Sequence, residues 1–492
     1  MPLVPLAIPP GVYRNGTDYQ TTGRWRDASL IRWTEGTMQP IGGWAARVTV
    51  SSDKKVRGSI AWRENGGSRW MAAGTYEKLF VISASNTVTD ITPSGFATGN
   101  ESAAINSGYG GGFYGDYIYG TRRQDVGSYT EATTWSLDNW GEYLVACSSK
   151  DGKIYEWQLN TGSDAALISA APTGNLCIVV TEERFLFALG AGGNARKVQW
   201  CDREDNTVWT PAATNEAGDL ELQTSGQIML GIKARGQTLI LTDQDAHAAT
   251  YQGPPFVYGF ERVGSACGAI SRHCAATVDR GVFWMGDRGF FAFAGGQVQD
   301  VPCEVSDYVF NNINVSQKSK VHAVTNAKFN EIWWFYPSAT GNECDSYVVF
   351  NYEENHWAIG SLARTSGIDS GVFSTPIWFG TNGIAYSHEN GSNLNSETVF
   401  AESGPFEIGA GDTTMMASML IPDEKTQGQV SVTFKTRFYP NDTERSYGPY
   451  SMAAPTDVRF TGRQVAMRVT GAANDSWRWG VPRIDAIPGG RR

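Results

Sequence analysis

The stretch SIAWRENGGSRWMAAGTYEKLFVIS (59–83) decides the architecture. Trp62 and Trp70 flank a Gly66-Gly67 turn, and Leu79 to Ile82 form the next apolar strand. Aromatic and β-branched side chains suit a pleated, half-buried surface. Glycine supplies the turn conformations with positive φ. The same grammar, two or three short apolar strands ending near a Gly or Asn turn, recurs along the chain. It appears in YLVACSSKDGKIYEWQL (143–159), a hairpin through Asp151-Gly152, and in LCIVVTEERFLFALG (176–190). It continues through 228–251, 275–301 and 327–360 to TPIWFGTNGIAYSHE (375–389). Seven units over about 350 residues give a period near 50, in the ~40–50 range of propeller blades. A blade is a small sheet that cannot bury both faces alone, and radial stacking solves that while leaving only short edges.

The expected fold is therefore all-β: an irregular β-propeller of about seven blades, with six or eight also compatible with the uneven repeats. No amphipathic stretch of helical period reaches twelve residues, which rules out a helical solenoid. A jelly roll or a pair of sandwiches is the competing fold. Composition agrees with short strands and tight turns. Glycine accounts for 56 of 492 residues, beside 17 Trp, 20 Tyr and 22 Phe. With 41% hydrophobic and 18% charged residues, the chain supports a large core and is not disordered as a whole.

Outside the repeats, the chain changes character at both ends. Residues 1–38 are punctuated by Pro and Gly and read as an extended N-terminal arm. The propeller is expected over 39–409. VSVTFKTRFYP (430–440), DVRFTG (457–462), QVAMRVTG (464–471) and SWRWGVPRIDAIP (476–488) alternate as strands of a small β-sandwich, placed at 410–492. No run of about 18 apolar residues exists, so no membrane span is expected. The opening MPLVPLAIPPGVYRNG is a poor signal peptide. Seven scattered cysteines, an odd number, fit reduced thiols better than a disulfide framework. The net charge of −10 is uneven: residues 1–60 and 413–492 each carry +4, and 61–412 carries −18. A sequence-independent DNA binder would show the opposite balance.

Catalytic signatures are absent: there is no G-x-S-x-G, Walker loop, H-E-x-x-H or EF-hand loop. The Gly-rich GYGGGFYG (108–115) lacks the Lys and the strand-to-helix setting of a phosphate cradle and reads as an insertion loop. Cys267, His273 and Cys274 lie close in sequence but lack a fourth zinc ligand and a C-x-x-C knuckle, so buried inert thiols are expected. The five histidines share no spacing. Propellers host glycosidases, whose chemistry needs two carboxylates near a central cleft. The candidate pairs are Asp243 with Asp245, Glu343 with Asp345, and Glu353 with Glu354. All fall at expected strand ends or turns, where carboxylates are commonly solvated. A sialidase-like site would further need convergent arginines and a Tyr nucleophile. CDREDNTVWTP (201–211) and SSKDGKIYEW (149–158) resemble degenerate Asp-box turns, in which Asp or Asn bonds its own backbone and the following aromatic packs inside. The chain is expected to be non-enzymatic, with no cofactor and no metal.

Four ordered features, DNTVWTP (205–211), GDLELQTSGQIMLGIKARGQTLILTDQDAHAATYQG (218–253), FERVGSACGAIS (260–271) and DRGVFWMGDRGFFAFAGGQVQDVPCEV (279–305), carry a resemblance. They are similar to tail hub or nozzle proteins, of the tail tubular or packaged-DNA stabilisation type, of short-tailed double-stranded DNA bacteriophages. PPGVYRNGTDYQTTGRWRDASLIRW (9–33) and WRWGVPRIDAIPGGRR (477–492) also resemble phage tail proteins. The match runs through nearly the whole chain, as loose patterns rather than sharp motifs. It implies a structural virion protein, assembled in the host cytoplasm into a homo-oligomeric ring, expected as a hexamer, below the portal and adaptor. Tail fibres or a needle would attach to it, and viral DNA would pass through without sequence-specific binding. Arg24, Trp25, Arg26, Trp33, Trp477, Arg478 and Trp479 are the expected inter-subunit contacts, since Arg and Trp are favoured interface anchors. Core packing is the alternative for the four tryptophans. The rival function is a propeller glycosidase or a glycan-binding receptor-recognition protein.

Overall fold

The computed structural model describes residues 3–105, 129–407 and 411–490. Seven antiparallel four-stranded sheets follow one another, one for each repeat unit. Blade 1 runs Val56–Arg63, Arg69–Thr75, Leu79–Ser83 and Val88–Asp90. Blades 2 to 6 begin with Trp135–Trp140, Cys177–Val180, Ile228–Ala234, Ala275–Val278 and His322–Asn326, and each adds three further strands in sequence order. Blade 7 has only Ser366–Ile368, Ile377–Phe379 and Ile384–His388 from its own stretch. Its fourth strand is Trp44–Thr49, which pairs antiparallel with Ile384–His388. The first strands of successive blades pack side by side, and blade 7 meets blade 1 to complete the circle. A strand from near residue 45 thus fastens a ring whose last blade ends near 388.

Sequence periodicity explains how the blades hold together. Successive side chains of a strand point to opposite faces. In the second strand of blade 6, EIWWFYP (331–337), every residue is buried, because both faces meet a neighbouring blade. Trp333 faces blade 7, its ring 5.1 Å from that of Trp378. Trp334 faces blade 5, its ring 4.9 Å from Phe290, and its Nε1 donates to the Cys274 carbonyl at 2.8 Å. Other tryptophans tie blades the same way: Trp135 Nε1 donates to Thr75 O of blade 1, and Trp62 Nε1 to Glu142 O of blade 2. Buried indole N–H groups need such partners. The Trp135 ring fits only because its neighbour is glycine; a Cβ on Gly74 would lie 2.4 Å from it. The Trp62–Gly66-Gly67–Trp70 reading holds in register, since Trp62 and Trp70 are directly paired.

The second body is a two-sheet β-sandwich, and it recruits the N-terminus. One sheet orders Leu3–Pro5, Arg483–Pro488, Met415–Ile421 and Thr456–Gly462. The other orders Trp25–Ser29, Val399–Ser403, Gln464–Gly471, Val430–Arg437 and Arg445–Ser451. Residues 1–38, expected as an extended arm, therefore supply an edge strand to each sheet. The hairpin Ile31–Thr34 and Thr37–Pro40 continues them, and Met38 and Trp479 exchange backbone hydrogen bonds. The physical reason is unsatisfied edge backbone: a short strand from the arm pairs one edge of each sheet, and Thr456–Gly462 and Arg445–Ser451 form the opposite edges. The expected boundary at 409/410 lies outside the described residues, but Val399–Ser403, before it, already belongs to the sandwich. The GYGGGFYG stretch also lies outside the described residues.

One buried charge cluster locks arm to propeller. Arg32 donates through Nε and Nη2 to both Glu331 oxygens, at 2.5 and 2.7 Å, and through Nη2 to Glu389 at 2.7 Å. Its guanidinium lies 3.6 Å from the centre of the Phe329 ring. Burial alone would discourage its charge, but the two glutamates outweigh it and hold Arg32 protonated. Burial pushes the Glu331 carboxyl above its usual range, against the pull of Arg32.

Candidate functional site

The axis of the propeller is where the first strands converge, and it is the natural place for a site. There the chain leaves a cavity of about 440 Å³, lined among others by Ser59, Asp138, Lys233, Arg272, His273 and His322. Its polar groups are largely bonded from blade to blade. Ser59 Oγ of blade 1 lies 2.7 Å from Ser366 Oγ of blade 7. Ser136 Oγ of blade 2 accepts from Ile178 N and donates to Ile178 O of blade 3. Asp138 accepts from Val180 N of blade 3 at 2.8 Å and pairs with Lys233 Nζ of blade 4 at 3.0 Å. His273, at the start of blade 5, reaches across the axis and places Nε2 2.9 Å from Trp135 O of blade 2. Beside it Arg272 pairs with Glu131.

Both axial histidines are neutral at pH 7. Burial pushes His273 down to about 4 and His322 down to about 3. His273 therefore donates Nε2–H to the Trp135 carbonyl. His322 Nδ1 lies 3.3 Å from Lys320 O, and its buried Nε2 has no partner. His273 and His322 are bridged neighbours in parallel blades, which their separation of 49 positions in the chain gave no means to foresee. Asp138 is the one carboxylate among the described residues lining the cavity, whereas glycoside hydrolysis takes a facing pair.

The three carboxylate pairs named from sequence do not converge on this cavity. Asp243 Oδ1 accepts from Gln227 N. Asp245 is buried rather than solvated, accepting from the hydroxyls of Thr224 and Thr242. His247 Nε2 lies 3.2 Å from Asp245, outside hydrogen-bond geometry. Glu343 pairs with Arg57 and with Lys320, whose side chain is fully buried. Asp345 holds both the amide and the hydroxyl of Ser338. Glu353 pairs with Arg280, and Glu354 accepts from Glu35 N. Each is engaged in local structure.

Cys267, His273 and Cys274 do not come together either. Cys274 Sγ donates to Ser271 O, and burial pushes both thiols up to about 11. Among the described residues no group of three or more His, Cys, Asp or Glu could hold a metal ion. The Asp-box-like turns form as read. Asp205 accepts from the amide and hydroxyl of Thr207, and Trp209 is buried. Asp151 accepts from Lys153 N and Tyr155 Oη, with Tyr155 and Trp157 buried behind it.

The seven expected interface residues divide by burial. Trp25, Trp33, Trp477 and Trp479 are between 0 and 3% exposed. Trp25 and Trp33 pack ring to ring at 6.3 Å, and Trp477 fills the space a Cβ on Gly471 would take. These four rings belong to the core of their own chain, the alternative weighed for them beside inter-subunit contact. Arg24 pairs with Glu304 and Arg26 with Asp18, both part-exposed, and Arg478 is exposed.

No family model matches the chain, and no curated protein matches it in sequence. Solved structures do resemble it in shape. Virginiamycin B lyase from Staphylococcus aureus aligns with 8% identity over 70% of this chain and 98% of its own, at a TM-score of 0.42. BamB from Moraxella catarrhalis aligns with 10% identity over 73% of this chain and 93% of its own, at 0.39. An exo-β-1,3-galactanase from Phanerochaete chrysosporium aligns with 10% identity over 91% and 100%, at 0.31. Likeness at this level carries no argument; the propeller architecture and the blade count rest on the strand pairing.

Proposed function

We propose that this chain is a structural tail protein of a short-tailed double-stranded DNA phage. In this reading it is a nozzle or hub whose copies, six in number, form a ring around the DNA-ejection channel. The ring joins the portal and adaptor to fibres or a needle. The observation that carries the reading is an axis whose lining is tied from blade to blade, by Ser59, Ser136, Asp138 and His273. Polar groups that an enzyme would leave free for substrate bond one blade to the next here, and the candidate carboxylates are engaged in turns and ion pairs. A scaffold under load needs that rigidity. The ordered resemblance from 201 to 303, in blades 3 to 5, supports the phage-tail reading.

The conduit in this reading lies between copies. B-DNA has a major groove about 12 Å wide on its own, and a cavity of about 440 Å³ crossed by His273 does not pass a duplex. The charge balance suits a channel wall. DNA carries one negative charge per about 1.7 Å of axis. A wall drawn from the −18 segment repels it weakly within about 8 Å at physiological salt, so the strand slides. Images of the purified protein in negative stain test this reading: rings with a central pore support it. A monomer that releases sugar from host surface glycan favours the glycosidase or glycan-binding alternative.

A further inference from the structure

We propose that Asn65 is a site of spontaneous covalent modification: its side-chain amide is lost, and an aspartate or isoaspartate takes its place at the seam between blades 1 and 2. The inference stands on turn geometry and is independent of the ring reading.

The chain holds four Asn-Gly pairs, at 15–16, 65–66, 382–383 and 390–391. In such a pair the glycine nitrogen can attack the asparagine Cγ. A bond from that nitrogen to Cγ forms, the Cγ–Nδ2 bond breaks, and Nδ2 leaves as ammonia, taking the proton that the glycine nitrogen gives up. Water then opens the resulting five-membered succinimide at either carbonyl, to aspartate or isoaspartate. Water is consumed, ammonia is released, and the chain gains a negative charge. Glycine permits the closure because no Cβ hinders the turning of the backbone.

Folding separates the four pairs. Asn15 Nδ2 donates to Cys303 O at 2.8 Å, its Oδ1 accepts from Asp307 N at 3.1 Å, and Gly16 N donates to Asp307 Oδ2 at 3.0 Å. Asn382 Nδ2 donates to Tyr386 Oη at 2.8 Å, its Oδ1 accepts from Ile384 N at 3.2 Å, and Gly383 N donates to Gly380 O at 3.2 Å. In both pairs the amide and the attacking nitrogen are held. Asn390 has a free side chain, but Asn390 N donates to Gly43 O and Gly391 O accepts from Gly43 N, each at 2.9 Å, which clamps the pair on both sides.

Asn65 and Gly66 are different. Both are exposed, in the turn between the first two strands of blade 1. Neither the Asn65 side chain nor Gly66 N bonds to any described residue. The backbone tie at Asn65 is its own N–H, which donates to Glu142 Oε2 of blade 2 at 3.0 Å. A Cβ on Gly66 would meet only the Glu64 side chain, at 3.2 Å, so the approach to Cγ is open. The product carries a carboxylate next to Glu64, in the turn that bonds Glu142. Trp62 Nε1 also donates to Glu142 O, so the new charge faces a like charge across the contact that joins blades 1 and 2. Isoaspartate further lengthens by one methylene a turn closed by Gly67 N to Glu64 O at 2.9 Å.

Peptide mapping tests the site. Folded protein is held in warm, mildly alkaline buffer, sampled over time and digested with trypsin, which releases Glu64–Arg69 as one peptide. The amide-to-acid mass gain should appear in that peptide first, while Asn15 and Asn382 keep their amides and Asn390 trails. In urea all four pairs should convert at similar rates. Gly66→Ala, whose Cβ the mobile Glu64 side chain can accommodate, should melt like wild type and lose the conversion at Asn65 over the same interval. Asn65 keeping its amide in the folded chain while the unfolded chain loses it overturns the proposal. So does any other pair keeping pace with Asn65 in the folded chain, or a folded Gly66→Ala chain that converts as fast as wild type.

Discussion

Replacing Arg32 with Met should destabilise the protein sharply at neutral pH, although position 32 touches no cavity on the axis. The side chains of Arg32, Glu331 and Glu389 are 2, 5 and 8% exposed. Removing the guanidinium deletes its bonds to both carboxylates and leaves two buried anions facing each other. Breaking a buried pair in this way costs about 3–5 kcal/mol. Unfolding entropy near 2.1 cal/mol/K per residue amounts, over 492 residues, to roughly 1 kcal/mol/K. If the chain melts as one unit, the midpoint should fall by ~3–5 °C in calorimetry. Burial already raises the Glu331 carboxyl above its usual range, and loss of Arg32 raises it further. A carboxylate raised in the folded state favours folding as it takes up its proton. The deficit should therefore be largest at pH 7–8 and shrink as pH falls towards 5. Adding Glu331→Gln should recover part of the loss. An Arg32→Met midpoint within 1 °C of wild type at pH 7, or a deficit that grows on acidification, would refute the reasoning.

Three further outcomes follow from the same geometry. Gly74→Ala should cost about 1–3 kcal/mol in chemical denaturation, because its Cβ would overlap the buried Trp135 ring between blades 1 and 2. Asp245→Ala should cost about 1–3 kcal/mol, since it strips the acceptor from two buried threonine hydroxyls, whereas Asp243→Ala should be mild; an equal effect of the two would contradict the assigned bonding. In the ring proposed above, replacing several Asp or Glu that face the lumen by Lys should slow genome release without blocking assembly, and more so at low salt; release kinetics indifferent to salt would count against the proposed acidic wall.

How far the sequence could be read depended on how local each interaction is. Blade hairpins are local: Trp62 opposite Trp70 and the Asp151 turn follow from spacing and turn chemistry within a dozen residues. The number of units was legible for the same reason, because each blade repeats the same burial problem. The closing strand was not. Trp44–Thr49 pairs with residues more than 330 positions later, and its own pattern looks like any edge strand. The arm failed in the same way, since Leu3–Pro5 and Trp25–Ser29 acquire meaning only beside Arg483–Pro488 and Val399–Ser403. At the axis, His273 and His322 carried no motif and meet because blades 5 and 6 are neighbours. Asp245 was legible as a turn residue but not as buried, because its carboxylate is enclosed with the hydroxyls of Thr224, 21 positions earlier, and Thr242. The tryptophans flanked by arginine show the limit of composition: Trp and Arg together fit an interface rim and a sandwich seam equally well.

The central claim is that copies surround a DNA channel which does not run through any single propeller. Single-particle cryo-electron microscopy of DNA-filled tails containing this protein tests it most directly. The account predicts a closed ring of copies, duplex density on the symmetry axis between them, acidic side chains towards that density, and seven-bladed propellers with blocked axes set off to the side. An isolated subunit with no ring, or a pore lined with Lys and Arg gripping the duplex, would contradict it.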